Sequence, residues 1–294
     1  MVRARIALSS SSLLTLLLVL RLFFATESTA LAGPHPAERA PIRVMLIGGQ
    51  NNHDWTTSNA FLLRLLRRQA GLAVTEDNAP AKDAPAAAWD AWQPNFANYA
   101  VVLLNYNGQM WPERIKQAFE HYLRGGGNAI VLHAANNAFS GWTAFERAVG
   151  LLWRPQNFGA SVFYDSEGRL QTEAAGAGRP MGHGAQYDWR VTVRAPAHPI
   201  VAGMPRQWMH VRDELYHGQR GWPDDVHILL SALSERTRGG TGQDEPVLWW
   251  TSLGKGRVVT NVMGHVGETA SLSCVGYQTV LVRSIEWLAT GHAP

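Results

Sequence analysis

IRVMLIGGQNNHDWTTSNAFLLRLLRR (residues 42–68) is the stretch that decides the fold. Its apolar run 42–47 has no polar alternation and ends in two glycines, which is typical of a strand buried on both faces. Thr57 or Ser58 can cap a helix that begins soon afterwards. The apolar face of that helix consists of Phe61, Leu62, Leu65 and Leu66. The stretch therefore predicts a strand, a polar loop and an amphipathic helix in succession.

The same unit recurs along the chain. YAVVLLNYN (99–107) and NAIVLHAAN (128–136) indicate two more buried strands, and PERIKQAFEHYLR (112–124) indicates the helix between them. Strands that alternate with helices predict parallel βαβ units with right-handed crossovers. Two later strands are predicted in 245–265, joined at the glycines near Lys255, and a last helix in 276–290. The fold class predicted is α/β, with a doubly wound, mostly parallel sheet flanked by helices in a flavodoxin-like arrangement.

The N-terminal residues have the pattern of a secretory signal. A basic start and a short apolar run interrupted by Arg21 precede small residues up to Ala32. We predict a signal peptide in 1–32, a linker in 33–41 and a folded domain in 42–290. Export to the periplasm or the cell exterior follows, with no membrane span after cleavage. The alternative is an uncleaved membrane anchor, although the apolar run is short for a span.

Composition excludes several classes of protein. The formal charge is +3 and no block of Lys and Arg occurs, so nucleic acid is not expected as a partner. Cys274 is the single cysteine, which excludes an internal disulfide and a cysteine-based zinc site. The chain has 12 tryptophans, a residue that fills cores and also lines sugar-binding clefts.

Three histidines follow three strands at the point where each strand ends: His53, His133 and His265. The carboxyl ends of parallel strands meet at one edge of a sheet, where ligands bind. We therefore predict that the three imidazoles share one pocket. Local alternatives remain for each: a polar turn in which Asp54 bonds backbone amides, a half-buried histidine at 133, and a Gly-His turn at 265.

Asp213-Glu214-Leu215-Tyr216 adds two carboxylates and a phenol, which can supply an acid or base and a hydrogen-bond donor. The alternative is a solvated acidic turn. His183, between two glycines in a loop, is expected to be exposed to solvent, and the alternative is that it reaches a site as a lid residue. No Gly-x-Ser-x-Gly elbow, P-loop or dinucleotide-binding glycine pattern occurs in the sequence.

Four segments together resemble the trehalose-utilisation (ThuA-like) family, which has the class I glutamine amidotransferase-like fold. They are GGQNNHDW (48–55), GGGNAIVLHAANNAF (125–139), HPIVAGMPRQWMHVRDELY (198–216) and EPVLWWTSLGKGRVVTNVMGH (245–265). The resemblance covers about Ile42 to Ala289. It implies a role in the catabolism of disaccharides, including oxidised (keto) sugars.

The resemblance also implies that glutamine hydrolysis is absent. Glutamine amidotransferases have a cysteine nucleophile in the sharp turn that here holds His133, whereas Cys274 lies far along the chain. A thiolate at that turn is needed to form the glutamyl thioester. The scaffold is therefore expected to be shared and the chemistry to differ.

We predict hydrolysis or elimination on a sugar derivative, and two mechanisms fit the residues. In one, the histidines, with or without Glu214, bind a divalent metal such as zinc. In the other, a histidine is the general base and Glu214 or Asp54 the acid, without a metal. The residues predicted to be catalytic are His53, Asp54, His133, Glu214 and His265. Those predicted to bind substrate are Trp55, Tyr106, Asn136, Asp213 and Tyr216.

The rival interpretation is a non-catalytic carbohydrate-binding or interaction module, in which tryptophans of the loops stack on sugar rings. The candidates are Trp55, Trp89, Trp92, Trp111 and Trp142. Either way, the partner expected is a small carbohydrate. Homo-oligomerisation is left open by the sequence.

Overall fold

The computed structural model describes residues 40–265 and 269–293. The predicted signal peptide 1–32, and the linker up to residue 39, lie outside the described residues. Within the described ranges, no helix combines the length and the apolar character needed to cross a membrane.

The described residues fold into fifteen strands and six α-helices. The strands are β1 (Ile42–Ile47), β2 (Leu72–Glu76), β3 (Val101–Leu104), β4 (Asn128–Leu132), β5 (Leu151–Leu152), β6 (Ser161–Tyr164), β7 (Leu170–Glu173), β8 (Gly182–His183), β9 (Tyr187–Val193), β10 (Gln207–Asp213), β11 (Tyr216–His217), β12 (Arg220–Gly221), β13 (His227–Leu233), β14 (Asp244–Leu253) and β15 (Gly256–Asn261). The helices are α1 (Trp55–Arg67), α2 (Ala86–Ala91), α3 (Glu113–Gly125), α4 (Thr143–Val149), α5 (Thr269–Ser273) and α6 (Val275–Thr290).

One sheet dominates the fold, with the strand order β10-β9-β13-β14-β15-β4-β3-β1-β2, and β6 and β7 extend it beside β14. The block β2-β1-β3-β4-β15 is parallel and has the flavodoxin-like order. The predicted fold class is confirmed. Beyond β15 the sheet continues with antiparallel strands, which begin with the predicted β14–β15 hairpin.

The register of the parallel strands brings their carboxyl ends to one level. Ile47 pairs with Leu104, Leu104 with Val131, and Leu132 with Asn261. The loops that follow β1, β4 and β15 therefore start side by side. This alignment is what brings together residues that are far apart in the sequence.

Hydrophobic cores cover both faces of the sheet. Alternate residues of β1 divide between them, with Val44 and Leu46 in one core and Met45 and Ile47 in the other. The second core holds an aromatic cluster around Trp111. Burial on both faces explains why β1 is an unbroken apolar run.

Gly49 begins the loop that carries His53, and its backbone cannot accept a side chain. Its φ is +109°, and an added Cβ would lie 2.1 Å from the carbonyl oxygen of Ala79. We expect Gly49→Ala to lower the free energy of unfolding by more than about 3 kcal/mol, since strain and a backbone clash add. Gly71→Ala is the matched control, because Gly71 also has positive φ but nothing lies near its added Cβ. Urea denaturation measures both, and an equal loss would contradict the clash.

Candidate metal centre

Four side chains from distant parts of the chain converge at the carboxyl edge of the parallel strands. His53 comes from the β1–α1 loop, His133 follows β4, His265 follows β15, and Glu214 follows β10. Each offers one ligand atom, and these atoms lie within 4.8 Å of one another. The ring centroids of His53 and His265 are 4.5 Å apart, and those of His133 and His265 are 5.3 Å apart. The three predicted histidines therefore share one site.

His133 occupies a sharp turn directly after β4. Its φ is +41°, and Phe139 is the only other non-glycine with positive φ among the described residues. Its Nδ1 lies 2.7 Å from the carbonyl oxygen of Val262. A carbonyl only accepts hydrogen bonds, so Nδ1 carries the proton. Nε2 then presents a lone pair to the centre, which is how metal-binding histidines are usually oriented.

The carboxylate of Glu214 faces the imidazoles. Its Oε1 is 3.1 Å from Nε2 of His265, and its Oε2 is 3.6 Å from Nε2 of His133. Burial opposes ionisation, but the neighbouring imidazoles of His133 and His265 lower the pKa of Glu214 well below its ordinary 4.5. The group is an anion at neutral pH.

His53 is neutral at the same pH. Burial lowers its pKa from 6.5 to about 4, and repulsion from His133 and His265 acts in the same direction. A neutral imidazole and an ionised carboxylate are the protonation states that bind metals.

Tyr216 closes one side of the centre. Its hydroxyl lies 3.0 Å from Nε2 of His133, and its ring packs on that of Trp153 at 4.7 Å. Burial raises the pKa of Tyr216 well above 10, and the charges of Glu214 and Asp213 add to this effect. The phenol therefore keeps its proton and is a hydrogen-bond donor at the edge of the site.

Asp213 lies behind the centre and has no exposed surface. Its Oδ2 accepts from Nε2 of His210 and from the amide of Gly264, both at 2.6 Å. Its Oδ1 accepts from the amides of His265 at 2.9 Å and Glu214 at 2.8 Å. We therefore assign Asp213 a positioning role instead of the predicted substrate contact, because it holds the backbone of two cluster residues.

Asp54 is placed outside the cluster, as the N-cap of α1. Its Oδ1 accepts from the Thr56 hydroxyl at 2.6 Å and from the Thr57 amide at 3.1 Å. These hydrogen bonds lower its pKa to about 2. The structure thus matches the helix-cap alternative for Asp54, and gives it no contact with the imidazoles.

Tyr106 and Asn136 are fully buried and bonded to backbone. The Tyr106 hydroxyl donates to the carbonyl of Gln109 at 2.8 Å. The Asn136 amide donates to Leu151 and accepts from the amide of Trp153, each at 2.7 Å. Both were predicted to bind substrate, and the structure gives them roles in packing and loop support.

A polar cavity of about 580 Å³ adjoins His53. Gln50, Asn52, Trp55 and Asn107 are among the residues that line it. Asn52 accepts from Nδ2 of Asn107 at 2.7 Å, and its own Nδ2 lies 3.1 Å from Nε2 of His53. Trp55, which was predicted to bind substrate, lines this cavity. Trp92, Trp111 and Trp142, which the rival interpretation could use as sugar platforms, are buried in the second core.

His183 was expected to be an exposed loop residue, but the structure places it beside Glu214. Its Nε2 lies 3.7 Å from Oε1 of Glu214, with 38 % of the side chain exposed. It reaches the site because β8 pairs with β11, His183 opposite Tyr216. No local pattern in the sequence indicates this two-residue pairing of β8 with β11.

The family model for ThuA (trehalose utilisation) matches residues 43–288. A crystal structure of a protein described as ThuA-like, from Parabacteroides merdae, is 35 % identical, with a TM-score of 0.80 over 86 % of this chain and 91 % of that one. A second, from Bacteroides uniformis, is 17 % identical with a TM-score of 0.56, over 89 % of this chain and 98 % of that one; it supports the fold alone. A search of curated proteins finds no significant match. The predicted resemblance is confirmed, and the chain belongs to the ThuA family.

Proposed function

We propose that a divalent metal such as zinc is held by four side chains: His53, His133, Glu214 and His265. We also propose that the protein is an exported enzyme that catalyses hydrolysis or elimination of a disaccharide or keto-glycoside. The observation that carries the proposal is the convergence of four ligand atoms within 4.8 Å. Family membership supports the sugar substrate, because the family is described by trehalose utilisation.

The donor set fits such an ion. Nε2 of His133 and Oε2 of Glu214 face each other at 3.6 Å, and the other ring nitrogen, Nδ1, is bonded to the carbonyl of Val262. A ring nitrogen and a carboxylate oxygen that face each other in this way can both interact with a cation placed between them. Three imidazoles and one carboxylate suit zinc and neighbouring first-row metals. A bound metal would polarise a carbonyl or lower the pKa of a bound water.

The chain's own residues would orient the sugar. The amides of Asn52 and Asn107 can donate to and accept from sugar hydroxyls in the adjoining cavity, and Trp55 offers a face for stacking. Tyr216 would donate a hydrogen bond to a developing negative charge on oxygen. Glutamine hydrolysis has no nucleophile here, because His133 occupies the turn where the amidotransferase cysteine would stand.

Elemental analysis and a substrate screen test the proposal together. We expect about one divalent ion per chain, and turnover of keto disaccharides that stops with a chelator and returns with zinc. His53→Ala should lower zinc affinity at least about 100-fold and abolish turnover, since it removes a half-buried ligand from a loop. His121→Ala is the control, because His121 is exposed on α3.

Three outcomes would contradict the proposal. Absence of stoichiometric metal binding would exclude the metal centre. Turnover that needs no metal would favour general-base catalysis by a histidine. Sugar binding that is unchanged in His53→Ala, without turnover of any sugar, would favour the non-catalytic module. Export has its own test: the chain recovered from the periplasm should begin at Gly33, and an intact N-terminus would indicate the uncleaved anchor.

A further inference from the structure

Three ring side chains, Trp153, His183 and Tyr216, form a wall beside the candidate metal centre, which we call the Trp153 wall. The ring of Tyr216 lies 4.7 Å from that of Trp153 and 6.3 Å from that of His183. The rings of Trp153 and His183 are 6.0 Å apart. Within the described residues, the polar cavity beside His53 is lined by none of these three. The metal centre therefore has two separate groups of side chains around it.

The two groups lie at different ends of the centre. The ring of His53, next to the polar cavity, is 4.5 Å from that of His265 and 5.4 Å from that of His133. The ring of Tyr216 is 4.5 Å from that of His133, and Trp153 packs against Tyr216 in turn. Contacts thus run from the polar cavity through His53 and His133 to the Trp153 wall. A ligand that touches both groups has to cross the metal centre.

Trp153 is held rigidly by its backbone. Its amide donates to Oδ1 of Asn136 at 2.7 Å, and its carbonyl accepts from Nη1 of Arg154 at 3.0 Å. Asn136 and Arg154 are buried, and Arg154 is paired with Glu146 at 2.9 Å. The indole itself is only half-buried. A partly exposed tryptophan on a fixed backbone is a preorganised surface on which an apolar ring face can stack.

His183 adds a polar atom to this surface. Its Nδ1 is 2.8 Å from the carbonyl oxygen of Gly184, which leaves Nε2 for another partner. Nε2 is 3.7 Å from Oε1 of Glu214, which is longer than a hydrogen bond. A sugar hydroxyl can bond Nε2 in either protonation state, because the neutral nitrogen accepts and the protonated one donates. The Trp153 wall thus combines an apolar face with a hydrogen-bonding group, as a sugar ring requires.

We propose that Trp153 and His183 form a second sugar subsite, so that the substrate is a disaccharide that spans the metal centre. One ring lies in the polar cavity beside Trp55, and the other stacks on Trp153 with a hydroxyl bonded to Nε2 of His183. The bond between the two rings then lies at the metal centre. This inference rests on the proposed function for the place of the reaction, whereas the subsite itself needs only these side chains. A sugar with a single ring would leave one of the two groups empty.

Isothermal titration of the full chain with trehalose and with glucose tests the subsite, with and without a chelator. In both conditions we expect trehalose to bind at least about tenfold more tightly than glucose, because only trehalose reaches both groups. Trp153→Ala should lower trehalose affinity at least about tenfold, and Trp153→Tyr should retain most of it, since tyrosine keeps a stacking face. Trp250→Ala is the matched control, because Trp250 is also half-buried but its ring stacks on His227. It should leave trehalose affinity at the wild-type value.

Two further measurements separate a subsite from a packing role. His183→Ala should lower trehalose affinity by about 2- to 10-fold, the usual worth of one hydrogen bond. The zinc affinity of Trp153→Ala should stay at the wild-type value, because the tryptophan is not a ligand. Thermal unfolding of each variant verifies that the chain is folded.

The subsite would be wrong if Trp153→Ala bound trehalose as tightly as the wild type. It would also be wrong if the wild type did not bind trehalose, or bound glucose equally well. Equal losses in Trp153→Ala and Trp153→Tyr, or a loss of zinc affinity in Trp153→Ala, would overturn it and assign Trp153 a packing role. A wild type that binds trehalose as expected but no zinc would support the subsite and contradict the metal centre alone.

Discussion

Asparagine in place of His133 is expected to lower zinc affinity at least about 1,000-fold and to abolish turnover of a sugar substrate. The variant removes a buried ligand, and loss of a group that merely supports a ligand already costs about 10–100-fold. Asparagine is the appropriate replacement because it tolerates positive φ, here +41°, better than most residues. Isothermal titration with zinc and a turnover assay measure the two effects.

His121→Asn is the matched control, the same exchange at an exposed position of α3. It should leave zinc affinity and turnover at wild-type values. The proposed metal centre would be wrong if the variant at 133 were folded and still bound one zinc ion with wild-type affinity. If zinc affinity fell but turnover persisted, His133 would bind a metal that the reaction does not use.

Asp213→Asn is expected to lower the free energy of unfolding by about 3–5 kcal/mol, which is the usual cost of breaking a buried ion pair. Each oxygen of this carboxylate accepts two N–H groups, from His210 and Gly264 on one side and from His265 and Glu214 on the other. In asparagine an NH2 group replaces one of these oxygens, so that two N–H donors of the protein then face another donor. Denaturant unfolding measures the loss, with Asp90→Asn, an exposed exchange on α2, as the control.

The stability difference between wild type and Asp213→Asn should depend on pH. Burial raises the pKa of Asp213, but the bond to His210 lowers it below its ordinary 3.8. Burial lowers the pKa of His210, but its hydrogen bond to Asp213 and a further interaction with Cys274 raise it from 6.5 to about 9. The carboxylate's contribution is lost as pH falls below 3.8, and the imidazolium's is lost as pH rises from 6.5 through about 9.

The difference should therefore be largest between about pH 4 and 6.5 and should shrink on both sides. A constant difference from pH 4 to pH 9 would show that His210 and Asp213 do not form an ion pair. A difference that grew towards pH 9 would reverse the sign expected for His210.

The parallel part of the sheet was predictable because its strands have a strong local pattern. The runs at β1, β3 and β4 are apolar without alternation, and a strand covered on both faces needs that composition. The parallel direction of these strands then followed from the helices that connect them. The meeting of His53, His133 and His265 is a consequence of this direction, so it could be predicted without any knowledge of their side-chain contacts.

The role of Asp54 could not be decided from the sequence. An acidic residue just before a helix can cap it or can face a pocket, and both arrangements have the same local pattern. Tyr106 and Asn136 posed the same problem, because a polar residue past a strand can point into a site or bond a neighbouring loop. In each case the choice depends on which backbone groups the rest of the chain leaves unsatisfied.

By itself, the sequence determined the α/β class, the family and one edge of the sheet as the place where three imidazoles gather. Only the tertiary structure decided that Glu214 and Tyr216 join them, that His183 lies beside Glu214, and that Asp213 bonds His210 behind the centre. The strand before Glu214, β10, is at the far end of the sheet order. The chain that follows β10 reaches the metal centre through pairings such as that of β8 with β11. Such pairings join segments whose contact no local periodicity encodes, because their energy comes from surfaces that exist only after the parallel sheet has formed.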